Sequence, residues 1–138
     1  MIITARAEYA CIAMIELAAR YGSPKPVRLT DLTDPHGIPN RFVVHILAQM
    51  KSAGLVLTTR GPTGGYRLAR PPAAITLADI LNAIDRIDDP GVRVAADSAI
   101  TQSLQSVWKG LRGQMADYLR RYSLADLIPA SAPADYVI

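Results

Sequence analysis

Cysteine is nearly absent from this 138-residue chain: Cys11 is the single one. One thiol closes no intrachain disulfide and builds no all-cysteine metal site. Histidine is scarce too, with His36 and His45 the only two, nine residues apart. Expected on different elements, they make poor joint ligands, so no metal site is expected, and structural or surface roles suit them better. No paired carboxylates, Cys–His pair or Ser–His–Asp set stands out, which argues against an enzyme. No apolar run approaches the ~20 residues that a membrane span needs. The first residues, MIITARAE, show no basic stretch followed by an apolar core, so no secretory leader is expected. These absences fit a cytoplasmic protein with no membrane partner.

A further gap is one of charge. Between Asp34 and Asp79 there is no acidic residue, yet Arg41, Lys51, Arg60, Arg67 and Arg70 all fall there. Residues 1–78 hold nine Lys/Arg against four Asp/Glu, a balance of +5, and residues 79–138 hold six against eight, a balance of −2. A stretch of one sign suits a polyanion such as nucleic acid, although a solvated basic surface has the same composition.

What is present is mostly helical. Residues 5–21 read as a helix capped by Thr4, with a broad apolar face that predicts deep burial. Cys11 lies within it, either as a small core residue or as a redox-sensing thiol. Thr30 suits the cap of a short helix over Asp31–Pro35. In HGIPN, residues 36–40, Gly37 suits a helix end and Pro39 a helix start. Asn40 or a neighbour would cap a third helix reaching about Ala53. Its apolar stripe is Phe42, Val43, Ile46, Leu47 and Met50, and its other face shows Asn40, Arg41, Val44, His45 and Ala48.

A short helix, a glycine-containing turn and a second helix with a polar face make a helix-turn-helix. GLVLTTRGPTGGYRLAR, residues 54–70, follows at once as two β-rich segments around a glycine-rich turn. Together they describe a winged helix, in which the hairpin tip reaches DNA beside the groove occupied by the recognition helix. Small residues at the tip, Gly61, Pro62, Thr63, Gly64 and Gly65, let backbone N–H groups approach phosphates. Arg60 stands at the edge of that tip, where a narrow minor groove would attract it. A purely structural hairpin is the alternative. A nucleotide cradle fits poorly, because the loop lacks a Gly-Lys-Ser/Thr ending and leads into no helix.

Residues 77–87 read as a further helix and 88–97 as a connector. A long helix then spans about 98–122, with Leu104, Trp108, Leu111, Met115, Tyr118 and Tyr122 spaced alternately by four and three. This is a heptad seam, suited to pairing with a second helix and hence to a homodimer; the alternative is packing on its own domain. The expected fold class is mostly α with a small β-hairpin wing (α+β). Its organisation is a winged helix-turn-helix DNA-binding domain over 1–87, the connector over 88–97, and a dimerisation helix with tail over 98–138.

Taken together, RAEYACIAMIELA (6–18), HGIPNRFVVHILAQMKSAGLV (36–56), RGPTGGYRLAR (60–70) and ITLADILNAID (75–85) resemble the Rrf-two (Rrf2) family of bacterial winged-helix transcriptional regulators. The likeness covers nearly the whole chain. It implies a sequence-specific regulator, foremost a repressor, that binds a palindromic double-stranded operator as a homodimer. Asn40, Arg41, Val44 and His45 would face the major groove, Arg60 the minor groove, and Arg6 a phosphate. Two departures matter. Family members often read Tyr-Leu-Glu-Gln where this chain has Phe42-Val43-Val44-His45. Cluster-binding members carry three cysteines after the wing, where this chain has none, so no iron–sulfur cluster of that kind is expected. A small-molecule effector or a partner protein could supply the signal. A winged-helix protein-interaction module without specific DNA binding is the alternative function.

Overall fold

The computed structural model describes residues 3–87 and 98–130. The connector expected at 88–97 and the end of the tail, 131–138, lie outside the described residues. Six α-helices and one hairpin follow in chain order: α1 Ala5–Ala19, α2 Leu29–Thr33, α3 Asn40–Ser52, β1 Val56–Thr59, β2 Gly65–Leu68, α4 Leu77–Asp85, α5 Ala99–Arg120 and α6 Leu124–Leu127. Short 3-10 turns occupy Asp34–His36 and Pro72–Ala74.

Helix α1 is the central rod. Thr4 caps it, its hydroxyl accepting from the Ala7 N–H at 3.1 Å. Its buried side is rich in small residues, Ala7, Ala10, Ala13 and Ala18, beside Met14 and Leu17. Small side chains let neighbouring helices approach closely, and α2, α3, α4 and α6 all pack on α1. Val43, Ile46, Leu47 and Met50 of α3 are fully buried against this group. Burying each such side chain contributes roughly 1.5–3 kcal/mol. Phe42, expected in the same stripe, instead stands at its exposed rim. It meets the Tyr9 ring at 6.0 Å and carries the Arg41 guanidinium over its own ring at 5.0 Å.

The start of α2 also differs from expectation. Thr30 lies inside the helix, and the cap position is Arg28, whose N–H donates to the Asp31 carboxylate at 3.3 Å. Asp31 thus closes the terminus from within the first turn. Pro39 takes the cap position of α3 with no side-chain hydrogen bond, leaving Asn40 as the first helical residue.

The hairpin is antiparallel, pairing Val56 with Leu68 and Thr59 with Gly65. A third piece of strand joins it. Val27 and Tyr66 exchange both backbone hydrogen bonds, at 2.9 and 2.8 Å. The wing is therefore backed by the segment that follows α1, and Arg67 strengthens the joint by donating to the carbonyls of Ser23 and Pro24 at 2.6 and 2.7 Å.

The hydrophobic core crosses the division expected between residues 87 and 98. Leu124 of α6 is fully buried in one cluster with Met14, Ile75 and Ile80. Two capping boxes meet there: Thr76 with Asp79, and Ser123 with Asp126. Their backbones are joined by Leu77 N–H to Tyr122 O at 3.0 Å and Leu124 N–H to Ile75 O at 2.9 Å. The segment that follows the long helix is thus built into the same core as α1 and α4.

Candidate nucleic-acid interface

The burial of α3 leaves one face outward. Asn40, Arg41, Val44 and His45, the residues expected to read DNA, are all exposed. They share that face because Val43, Ile46, Leu47 and Met50 occupy the opposite side at helical spacing. The turn ahead of α3 is fixed from behind. Glu16 of α1 is buried, and its carboxylate is held by His36 at 3.1 Å and by Arg20 at 3.1 Å. A buried charge needs such partners. His36 therefore serves to tie the helix-turn-helix corner to α1.

The wing tip is a five-residue loop, Arg60 to Gly64, closed by the Gly64 N–H donating to Gly61 O at 2.9 Å with Pro62 next in the turn. The glycines here have a reason internal to the fold. A Cβ on Gly64 would lie 2.1 Å from Thr59 O, and one on Gly65 would lie 2.4 Å from Val27 O. The strand that backs the wing thus demands Gly65, and the reversal itself demands Gly64. Arg60, Gly61, Pro62 and Thr63 are exposed. The three arginines around this turn divide by role. Arg67 is engaged by backbone carbonyls, whereas Arg60 and Arg70 are exposed. A recess of about 500 Å³ beneath the tip is lined by Arg60 and also by Arg28. Arg28 escaped the sequence reading, because nothing in its spacing shows that the chain before α2 runs beneath the wing.

Arg6 is exposed near the start of α1, and its guanidinium donates to the Gln49 side chain on α3. The expected seam of α5 is also open. Leu104, Trp108, Leu111 and Tyr118 are exposed, Met115 and Tyr122 half-buried, and Tyr122 donates to the Tyr118 hydroxyl at 3.4 Å. Ile100 and Val107, 82% and 62% exposed, widen this apolar strip beyond the residues expected. The helix meets the rest of the fold through other residues: Ala116 is buried, and Leu119 packs against Ala7, Leu81 and Ile87.

The arrangement is that of a winged helix-turn-helix. A model of the family described as Rrf2, iron-dependent transcriptional regulator, matches residues 3–130. The chain belongs to the Rrf2 family. It is 39% identical over 137 residues to a protein of Mycobacterium tuberculosis named as an HTH-type transcriptional regulator, covering 96% of this chain and 84% of that one. Among solved structures it is similar to CymR, the global cysteine regulator of B. subtilis. That match has a TM-score of 0.76 and 28% identity, over 93% of this chain and 96% of that one. It is likewise similar to IscR of T. potens, with a TM-score of 0.74 and 28% identity over 93% and 86% of the two chains. The protein is thus a DNA-binding transcription regulator of the Rrf2 family, and its relatives are regulators rather than enzymes. Among the described residues no helix is long and apolar enough to cross a membrane.

The family description speaks of iron, and the residues of this Rrf2 protein do not fit a cysteine-ligated cluster. Thiolates hold such clusters, and Cys11 is the single cysteine. It packs beside Ala7, Leu81 and Ile87. Among the described residues, no three His, Cys, Asp or Glu side chains gather as a ligand set. Burial, and then the Glu8 carboxylate, push the Cys11 thiol up to about 11. At neutral pH it stays protonated, the unreactive form. Alkylation of the native protein by iodoacetamide at pH 7.5 should therefore be on the order of 100-fold slower than that of a cysteine in an unfolded peptide, given an ordinary pKa near 8.5. The rate should rise with pH past 9 and reach the peptide value in guanidinium chloride. A native rate equal to the peptide rate would restore Cys11 as a candidate redox sensor.

Proposed function

We propose that this Rrf2 protein is a cytoplasmic repressor that binds a palindromic double-stranded operator as a homodimer. The observation that carries the reading is the open apolar strip of α5. Its own domain is served by Ala116 and Leu119, so Leu104, Trp108, Leu111, Met115, Tyr118 and Tyr122, with Ile100 and Val107, are left for a second copy. In this reading Asn40, Arg41, Val44 and His45 of α3 enter the major groove. Val44 meets a thymine methyl and His45 donates to a purine acceptor, so the operator differs from that of relatives with Glu and Gln at these positions. Arg60, with Gly61, Pro62, Thr63, Gly64 and Gly65, sits at the minor groove, and Arg6 contacts a phosphate. With Cys11 held as a thiol, a small molecule or a partner protein supplies the signal.

Selection from a random DNA pool tests the reading. A two-fold symmetric site should emerge, with half-sites about one helical turn apart. Affinity should fall steeply with salt, as expected when several phosphates are neutralised. Weak binding that enriches no sequence, with or without cell extract, would replace the reading with a protein-interaction module.

A further inference from the structure

A groove of about 800 Å³ opens between the start of α1, the flank of α3 and the C-terminal end of α4. Its polar walls are Arg6, His45, Gln49, Ser52, Asn82 and Arg86, and among the described residues no carboxylate lines it. His45 belongs both to the outward face of α3 and to this groove, so the two surfaces are continuous. Arg6 is held against the α3 wall by Gln49. Asp85, at the groove's edge in sequence, is engaged elsewhere, accepting from the Thr4 hydroxyl at 3.1 Å.

Arg86 is unusual in its backbone. It caps α4 in the left-handed region, with φ 50 and ψ 59. Among the described residues it is the only non-glycine with positive φ. Glycine ordinarily takes this place at a helix end, because a Cβ crowds the following carbonyl. An exposed residue that keeps a long side chain where glycine would be more comfortable points to use of the side chain. The guanidinium offers a planar fork that matches phosphate oxygens.

We propose that this groove is a phosphate-contact site, in which Arg86, at the end of α4, grips the DNA backbone strand that passes beside α3. The inference rests on the DNA-binding reading above and adds a residue from an element outside the helix-turn-helix and the wing. Arg86→Gly removes the cation and relieves the backbone, and Arg86→Asn removes the cation while tolerating the same conformation. Each should melt at or above the parent's temperature. Loss of one phosphate contact corresponds to about five-fold in affinity at 0.15 M salt, hence roughly 25-fold for a dimer, with a salt slope shallower by about 1.8. Arg86→Lys should retain most of the affinity. Ethylation interference should lose one phosphate per half-site in Arg86→Gly.

Failure of the parent to bind any selected site would sink the DNA reading itself. A parent that binds, with Arg86→Gly matching it in affinity, slope and ethylation pattern, would overturn this proposal alone. A variant that melts lower with an unchanged slope would also overturn it, marking Arg86 as a structural cap.

Discussion

The paired substitution Leu104→Asp and Leu111→Asp should convert the proposed dimer of about 30 kDa into a folded monomer of 14.9 kDa and remove specific DNA binding. In the single subunit these side chains are 49% and 42% exposed, so aspartate meets water there rather than the core. Across a seam, by contrast, two carboxylates per subunit would be buried without partners, a heavy cost. A dimer holds its second reading head near the second half-site, and that linkage raises affinity by roughly 10²–10⁴-fold. The same factor should be lost in the variant. Sedimentation equilibrium with a far-UV spectrum and an operator titration would check it. A variant that remains a dimer, or that binds like the parent, would remove the assigned role of this strip.

The second large effect is expected at the wing. Arg60→Ala should weaken operator binding by at least about 30-fold in the dimer, taking roughly 1 kcal/mol or more per subunit for a lost groove contact. Stability should not change, since Arg60 is exposed and no ion pair joins it to a carboxylate among the described residues. Arg67→Ala is the counterpart. It lies in the same hairpin but donates to Ser23 and Pro24 carbonyls, so its loss should lower the melting temperature. Operator titration and thermal denaturation of the two variants, side by side, would separate contact from scaffold. Equal affinity for Arg60→Ala and the parent would mean that the wing does not touch DNA through this residue.

Much of the fold is legible in the residue pattern, for reasons that these elements make plain. The stripe of Val43, Ile46, Leu47 and Met50 has the helical period, and its burial forces Arg41, Val44 and His45 outward. Thr4 and the hairpin are local signals that depend on few neighbours. The misreadings come where tertiary contact overrides local chemistry. Thr30 has the chemistry of a cap, yet the Asp31 carboxylate reaches back to the Arg28 N–H and starts the helix two residues earlier. Phe42 fits the apolar period, but it is displaced to the rim, where Tyr9 and Arg41 flank it. Val27 gives no strand signal by itself and pairs only because Tyr66 arrives beside it. The short SLADLI segment carries no record of where its leucines go, and only the folded chain shows Leu124 inside the first core. The groove containing Arg6 and Arg86 is assembled from residues 80 apart in sequence, beyond the reach of any periodicity.

The joint between α6 and the core has a mechanical consequence. Because Leu124 is buried with Met14 and Ile80, and Leu77 and Tyr122 share a backbone bond, α5 is clamped at its C-terminal end to the core that carries the helix-turn-helix. Its 22 residues make a rod of about 33 Å at 1.5 Å per residue. A tilt of only about 6° at the clamp would carry the far end through about 3.4 Å, the rise of one base pair. Run in reverse in the proposed homodimer, the same leverage would let a small change of angle where two such rods meet alter the spacing of the two proposed recognition helices by a whole step of the DNA ladder.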